Sequence, residues 1–196
     1  MSEKENPKGP EEIGMMGRLL ATRTVLVSGP VDAEMAAKVI QQLLILEAED
    51  PKKAITLMVN SPGGEVFSGF AIFDTLRFIT PPVVTLVIGL AASMGSIIPL
   101  AAPKGSRYCL PNSKFLIHQP LLMGYQGRAT DLEIQAKEIL KDRERIVQLY
   151  AEVTGKKADT IAKDIDHDKW MTPEEAKAYN LVDHIITGRS ELSTGR

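Results

Sequence analysis

Residues 78–103 carry no charge at all. That run reaches roughly the ~20-residue length a membrane helix requires, so the fold has to hide it. Its punctuation decides how. Pro81-Pro82, Gly89, Gly95 and Pro99 interrupt it, and residues 83–88 are β-branched and strand-like. The run therefore reads as a buried strand followed by a buried helix, in a soluble protein.

The remaining composition fits that reading. The 196 residues include 23 Lys+Arg and 25 Asp+Glu, a net charge of −2, with 44% apolar and 24% charged side chains. This is one ordinary globular domain with enough chain to bury a core. The near-neutral balance argues against a nucleic-acid or membrane-surface role, which usually needs a basic excess. A single cysteine, Cys109, excludes an internal disulfide framework and fits a reducing compartment. The polar, acidic start has neither a secretory apolar core nor the Arg-rich look of a transit peptide. A cytoplasmic location is expected.

Residues 1–14, rich in charge and proline, read as a flexible arm. Strands are expected at 24–27 and 55–60. Between them lies a helix from Asp32, its N-cap, to about Glu49, with Ala36, Val39, Ile40, Leu43 and Leu46 at helical spacing. A helix at 66–78 precedes the apolar strand, and a second turn falls at residues 91–95. Such alternation argues for a largely parallel sheet with helical crossovers. Short strands follow at 107–110 and 114–118, with an extended or turning segment at 124–127. A long helix spans 131–153, with Leu132, Ala136, Ile139, Ile146, Tyr150 and Val153 on one side and charges elsewhere. Two short helices (158–164 and 173–179) and a strand near 181–186 complete the chain.

Several kinds of chemistry lack their motifs. There is no G-x-x-x-x-G-K-[ST] loop, no G-x-G-x-x-G run and no His-Glu-x-x-His pair, and the three histidines lie far apart in sequence. No metal or cofactor is expected. Three elements remain. Ser61-Pro62-Gly63-Gly64 directly follows a strand; adjacent glycines allow positive φ and leave Gly64 N–H free to face a cleft. The same run also serves as an ordinary tight turn. Ala91-Ala92-Ser93-Met94-Gly95 places small residues around a serine between strand and helix, as in a nucleophile elbow. Ser93 would have the N–H of Met94 beside its hydroxyl, although a serine there also serves simply as a helix cap. Third, His118 ends the apolar run from Phe115. A histidine so placed is often structural, but a serine nucleophile needs a base near neutrality. His167 and His184 sit among charged neighbours and look solvated, which leaves His118 as the best base.

The order Ser93…His118…Asp168, with Ser-Pro-Gly-Gly upstream of Ala-Ser-Met-Gly, resembles the proteolytic subunits of the Clp protease (ClpP). Matching stretches include Gly124–Asp131, Ala136–Leu140 and the Tyr-Asn-Leu-Val-Asp near the end, so the resemblance covers residues 18–186. It implies a ClpP/crotonase-like α/β fold of repeated strand–helix units with a protruding handle helix at 131–153. Residues 1–17 would form an N-terminal arm or axial loop, 18–190 the peptidase domain and 191–196 a flexible tail.

The resemblance also implies roles. Ser93 would be the nucleophile, His118 the general base and then acid, and Asp168 the carboxylate orienting the imidazole. Asp164 and Asp166 compete for that last role, but Asp168 matches the family's position. Gly64 and Met94 N–H groups would form the oxyanion hole, each donor typically worth ~3–4 kcal/mol. Gly63, Val66, Leu121, Tyr125 and Gln126 would line the substrate groove, pairing with an extended peptide as an added strand. The implied partners are copies of the chain or paralogues in two stacked seven-membered rings, unfolded polypeptides, and an ATP-driven unfoldase of the ClpX, ClpA or ClpC type. That unfoldase, not this chain, would use ATP. It would dock on Met58, Leu86, Ile88, Tyr108, Leu110 and Ile186, which also read as ordinary sheet residues.

Four positions depart from the family pattern. Lys169 replaces an arginine involved in ring–ring contact and lacks its bidentate fork. Pro99 falls inside the expected helix after Ser93 and should kink it. Glu65 brings a negative charge near the oxyanion site unless it points away. Leu121-Leu122-Met123 is bulkier than the family's glycine-rich segment. Two other readings of the residues are a catalytically weak ring subunit that scaffolds active paralogues, and a crotonase-like acyl-CoA enzyme.

Overall fold

The uncharged run supplies the central strand of the sheet. The structure, a computed structural model, describes residues 14–121, 124 and 126–193. Tyr125 of the expected groove, Leu122 and Met123 lie outside the described residues, as do residues 1–13 and 194–196. The described strands are β1 (Thr24–Ser28), β2 (Ile55–Ser61), β3 (Val83–Ala92), β4 (Arg107–Cys109), β5 (Lys114–Ile117), β6 (Lys169–Met171) and β7 (His184–Ile185). The helices are α1 (Met15–Ala21), α2 (Ala33–Glu49), α3 (Val66–Phe78), α4 (Met94–Ile97), α5 (Ala129–Thr154), α6 (Ala158–Asp164) and α7 (Pro173–Ala178). This is the mixed α/β architecture with a mainly parallel sheet that the strand–helix alternation implied.

Strands β1, β2, β3, β4 and β7 follow one another across the sheet, all parallel. β3 is long enough to serve two neighbours along one edge. Its Thr85–Val87 portion pairs with β4, and its Leu90–Ala92 portion pairs with β5. β6 then adds antiparallel to β5.

Local chemistry sets the helix ends. Asp32 caps α2, its Oδ1 accepting the Met35 N–H at 2.8 Å. The far end of α2 is closed by Arg23, whose buried guanidinium donates to the carbonyls of Leu46, Asp50, Lys53 and Ala54. Thr172 and Glu175 form a capping box on α7. One core lies under α2 and α3 (Val39, Leu43, Leu57, Ile72), and a second under α5–α7 (Val87, Phe115, Ile146, Ile161).

Four expectations need correction. The helix after Ser93 is not kinked by Pro99 but ended before it. α4 stops at Ile97, and Pro99 lies in a separate 3-10 turn, Ile98–Ala101, where its fixed φ is tolerated. The turn expected at residues 91–95 begins only at Ser93, because Ala91 and Ala92 still pair with β5. The long helix starts at Ala129, and among the described residues its outer half is largely exposed: Leu132 and Ala136 are exposed, and full burial begins at Ile146. β6 and α1 were not anticipated.

Candidate active site

The Ser-Pro-Gly-Gly turn and the Ser93 elbow meet at the ends of β2 and β3. Ser93 breaks β3 into α4 with φ 53° and ψ −126°, a conformation costing a non-glycine residue about 1–3 kcal/mol that is tolerated where surroundings over-determine it. Its N–H donates to the Leu116 carbonyl at 2.9 Å. Its own carbonyl accepts the Ser96 N–H at 2.9 Å and the Ser96 hydroxyl at 2.7 Å. Bulk is excluded on two sides. A Cβ on Gly63 (φ +87°) would lie 2.7 Å from Ser93 Cβ and 2.9 Å from Met94 N, and one on Gly95 would lie 2.6 Å from the Ser61 carbonyl. The small residues around the serine are therefore a packing requirement.

Two backbone N–H groups flank the serine. Met94 opens α4, so its N–H has no intrahelical acceptor. Gly64 forms a parallel bridge with Val31 in which Gly63 C=O and Glu65 N–H make the bonds, so Gly64 N–H turns to the other side. Ser61, fully buried, sets this turn by donating to Gly29 C=O at 2.6 Å and accepting Gly63 N–H at 3.0 Å. Glu65 leans onto the first turn of α3, accepting the Ser68 hydroxyl at 2.7 Å.

The sheet carries the histidine and the aspartate to the same end. β5 and β6 pair Phe115 with Met171, Leu116 with Trp170 and Ile117 with Lys169. Continued by one residue, that register sets Asp168 opposite His118. In the described conformation, however, His118 Nδ1 lies 2.6 Å from the Gln119 carbonyl. A carbonyl only accepts, so Nδ1 carries the proton, and in the neutral ring that is the tautomer a general base needs. Asp168 is exposed and makes no hydrogen bond among the described residues, and neither does Ser93 Oγ.

Gln119 is itself clamped. Its N–H donates to Ile165 C=O at 2.7 Å, its Nε2 to Asp166 C=O at 3.0 Å, and its Oε1 accepts from Arg143 Nε on α5 at 3.0 Å. Sequence reasoning missed Gln119, Arg143, Ser96 and Tyr150; the last was visible only as part of an apolar helix face. Of the other histidines, His167 is almost fully exposed beside Asp166, and His184 stacks on Tyr108 at 4.9 Å. Lys169 pairs with Asp164 at 2.7 Å within its own subunit. Among the described residues no three His, Cys, Asp or Glu gather as a metal site, and no helix is long and apolar enough to cross a membrane.

The groove candidates divide. Gly63 lies beside the elbow and Val66 opens α3, half-buried against the core, while Leu121 and Gln126 are exposed on the connection leading to α5. The docking candidates largely converge. Register aligns Met58, Leu86 and Tyr108 in one row across β2, β3 and β4. Leu86, Tyr108 and Ile186 are buried in one cluster with Val84, against which Met58, Leu110 and Leu192 pack. Ile88 stands apart and exposed.

Residues 7–189 match the model of the family described as Clp protease. The chain is also 49% identical over 177 residues to the "ATP-dependent Clp protease proteolytic subunit 1" of Protochlamydia amoebophila (strain UWE25), covering 90% of this chain and 86% of that protein. The chain belongs to the Clp protease proteolytic-subunit family. As a Clp protease subunit it is a serine-type endopeptidase, a hydrolase. Clp proteolytic subunits in general work as ring assemblies associated with Clp ATPases.

Proposed function

We propose that this Clp subunit cleaves unfolded polypeptides through an acyl-enzyme on Ser93, with His118 as base and then acid and Asp168 as the orienting carboxylate. The observation that supports the reading is the approach of Gly63 to Ser93, of Ser93 to Leu116 on β5, and of β5 to β6, which brings the strand ends next to His118 and Asp168 together. Turning Nδ1–H of His118 from the Gln119 carbonyl to Asp168 completes the triad without changing the tautomer. The carboxylate then stabilises the imidazolium that forms when Nε2 takes the serine proton. Gly64 and Met94 N–H groups receive the oxyanion. Gly63, Val66, Leu121 and Gln126 flank an extended substrate.

The chain acts in two stacked seven-membered rings, with the unburied outer half of α5 reaching between them. Polypeptide is delivered by an ATP-driven unfoldase docked on the face that carries Met58, Ile88 and Leu110 beside Leu86, Tyr108 and Ile186. ATP is used by that partner. A second reading, a subunit that mainly scaffolds active paralogues, draws on the engagement of His118 by Gln119.

Hydrolysis of short fluorogenic peptides by the purified protein, alone and with a paralogue or an unfoldase and ATP, separates the two. Ser93→Ala abolishes cleavage and leaves assembly intact on the peptidase reading, and cleavage that survives the change removes Ser93 as nucleophile. A wild type that is inert alone yet activates a paralogue, with or without Ser93, establishes the scaffold.

A further inference from the structure

One buried chain of hydroxyls has no part in the triad chemistry. Tyr150 of α5, 1% exposed, places its hydroxyl 2.7 Å from Ser96 Oγ, and Ser96 Oγ lies 2.7 Å from the Ser93 carbonyl oxygen. Proton counting sets the direction. The carbonyl can only accept, so Ser96 donates to it; that uses the one proton of Ser96, which accepts from Tyr150 in turn. The chain therefore runs Tyr150 O–H to Ser96 O–H to Ser93 C=O. Burial pushes the Tyr150 phenol up, against the opposing effect of Ser96, so it stays a donor throughout the neutral range.

We propose that Tyr150 is a positioning residue for catalysis, acting through Ser96 on the peptide that joins Ser93 to Met94. The C=O of Ser93 and the N–H of Met94 belong to one planar, conjugated amide. Donors on its oxygen draw density from its nitrogen and strengthen the N–H as a donor, and hydrogen bonds in series reinforce each other. Ser96 supplies two such donors to that oxygen, its N–H at 2.9 Å and its hydroxyl at 2.7 Å. The same bonds fix the plane of the amide, and Gly63 seats against its nitrogen side. An oxyanion donor is useful only if it is aimed before charge develops. Tyr150 thus joins the handle helix to the oxyanion site without touching substrate.

The inference rests on the assignment of Ser93 as nucleophile and Met94 N–H as oxyanion donor. Strengthening of roughly 10–30% per bond, applied to a donor worth about 10²–10³ in rate, predicts about a two- to eightfold effect. The test compares wild type, Ser93→Ala, Tyr150→Phe, Ser96→Ala and the Tyr150→Phe/Ser96→Ala double variant. Peptide hydrolysis gives kcat and KM for each, and a peptide boronic acid, which becomes tetrahedral on the serine, gives transition-state affinity. Tyr150→Phe lowers kcat about two- to eightfold with KM unchanged and weakens the boronate by the same factor. Ser96→Ala lowers kcat at least as far, and the double variant falls no further, because Tyr150 acts only through Ser96.

A kcat for Tyr150→Phe equal to wild type, a loss shared with KM, or additive losses in the double variant overturns the inference. Where Tyr150→Phe unfolds, Ser96→Ala with its boronate affinity decides alone, and an unchanged value refutes the role. Activity surviving Ser93→Ala sinks the parent assignment instead, so the two failures are told apart.

Discussion

Replacing Asp183 by alanine should be among the most damaging single changes outside the catalytic elbow. Its carboxylate accepts from Arg107 Nε at 3.1 Å, Arg107 Nη2 at 2.8 Å, Arg107 N–H at 3.1 Å and Gly105 N–H at 2.7 Å. The Arg107 side chain is 2% exposed and that of Asp183 11%. Without the carboxylate the guanidinium keeps only the Asn180 carbonyl and stays out of water. Stranding one partner of a buried pair costs about 3–5 kcal/mol. At about 2–4 °C per kcal/mol for a domain of this size, the midpoint falls by about 6–20 °C. Thermal unfolding at one fixed protein concentration measures it, since assembly stabilises by mass action. A loss below about 1 kcal/mol, the worth of a surface pair, refutes the reasoning. Arg107→Met with Asp183→Leu should recover most of the loss, because the pair's own desolvation is removed with it.

Acid titration checks the same pair. Burial alone pushes the Asp183 carboxyl up, but the Arg107 guanidinium and the two backbone N–H groups outweigh it and hold the group below the usual carboxylate range. The folded value is thus the lower one. Its stabilisation is complete above the unfolded value of about 4 and is lost as pH falls through the folded value. Asp183→Asn should flatten the acid limb of stability against pH, and parallel limbs would contradict the assignment. The pair also ties β4 to the segment entering β7, so Asp183→Ala should loosen the Leu86–Tyr108–Ile186 cluster on that face.

Gly63→Ala should abolish peptidase activity even in protein that folds. The new Cβ meets the Ala92 carbonyl at 2.6 Å and Ser93 Cβ at 2.7 Å at a φ of +87°; full activity in the soluble variant would refute the packing account. Cys109 is buried in the core, and burial pushes its thiol up to about 12. Native protein at pH 8 should therefore resist iodoacetamide and label only on unfolding, and rapid labelling of the folded protein would contradict the burial.

The elements readable in the chain are those whose signal is local. α3 covers residues 66–78 as expected, and Asp32 caps α2 because a short acidic side chain before an apolar periodic run has few better uses. β6 was unreadable because Lys-Trp-Met has no strand pattern of its own. Trp170 is more than half exposed, and the segment is a strand only because β5 presents an edge to it. Yet that strand pairs Ile117 with Lys169, the residues next to His118 and Asp168. Residues far apart in sequence, such as Arg107 and Asp183 or Gln119 and Arg143, meet through the fold and leave no local trace. The serine, the glycines and the histidine were legible as residue types; which acceptor His118 chooses was not.

That choice turns on α5. Arg143 and Tyr150 are seven residues apart, about two turns, so they lie on one face of the helix. Arg143 holds Gln119, whose carbonyl takes the proton-bearing nitrogen of His118, and Tyr150 holds Ser96, which holds the Ser93 carbonyl. Between them Arg145 sits 3.6 Å over the Phe70 ring and reaches Asp74, locking the helix to α3. Both sides of the reacting centre are thus referenced to one helix face, while the outer part of that helix carries exposed Leu132, Ile134 and Leu140. A displacement of α5 by even part of a turn would move the acceptor of His118 and the donors on the Ser93 amide together. The helix face that carries Arg143 and Tyr150 thus reaches the histidine through Gln119 and the oxyanion site through Ser96.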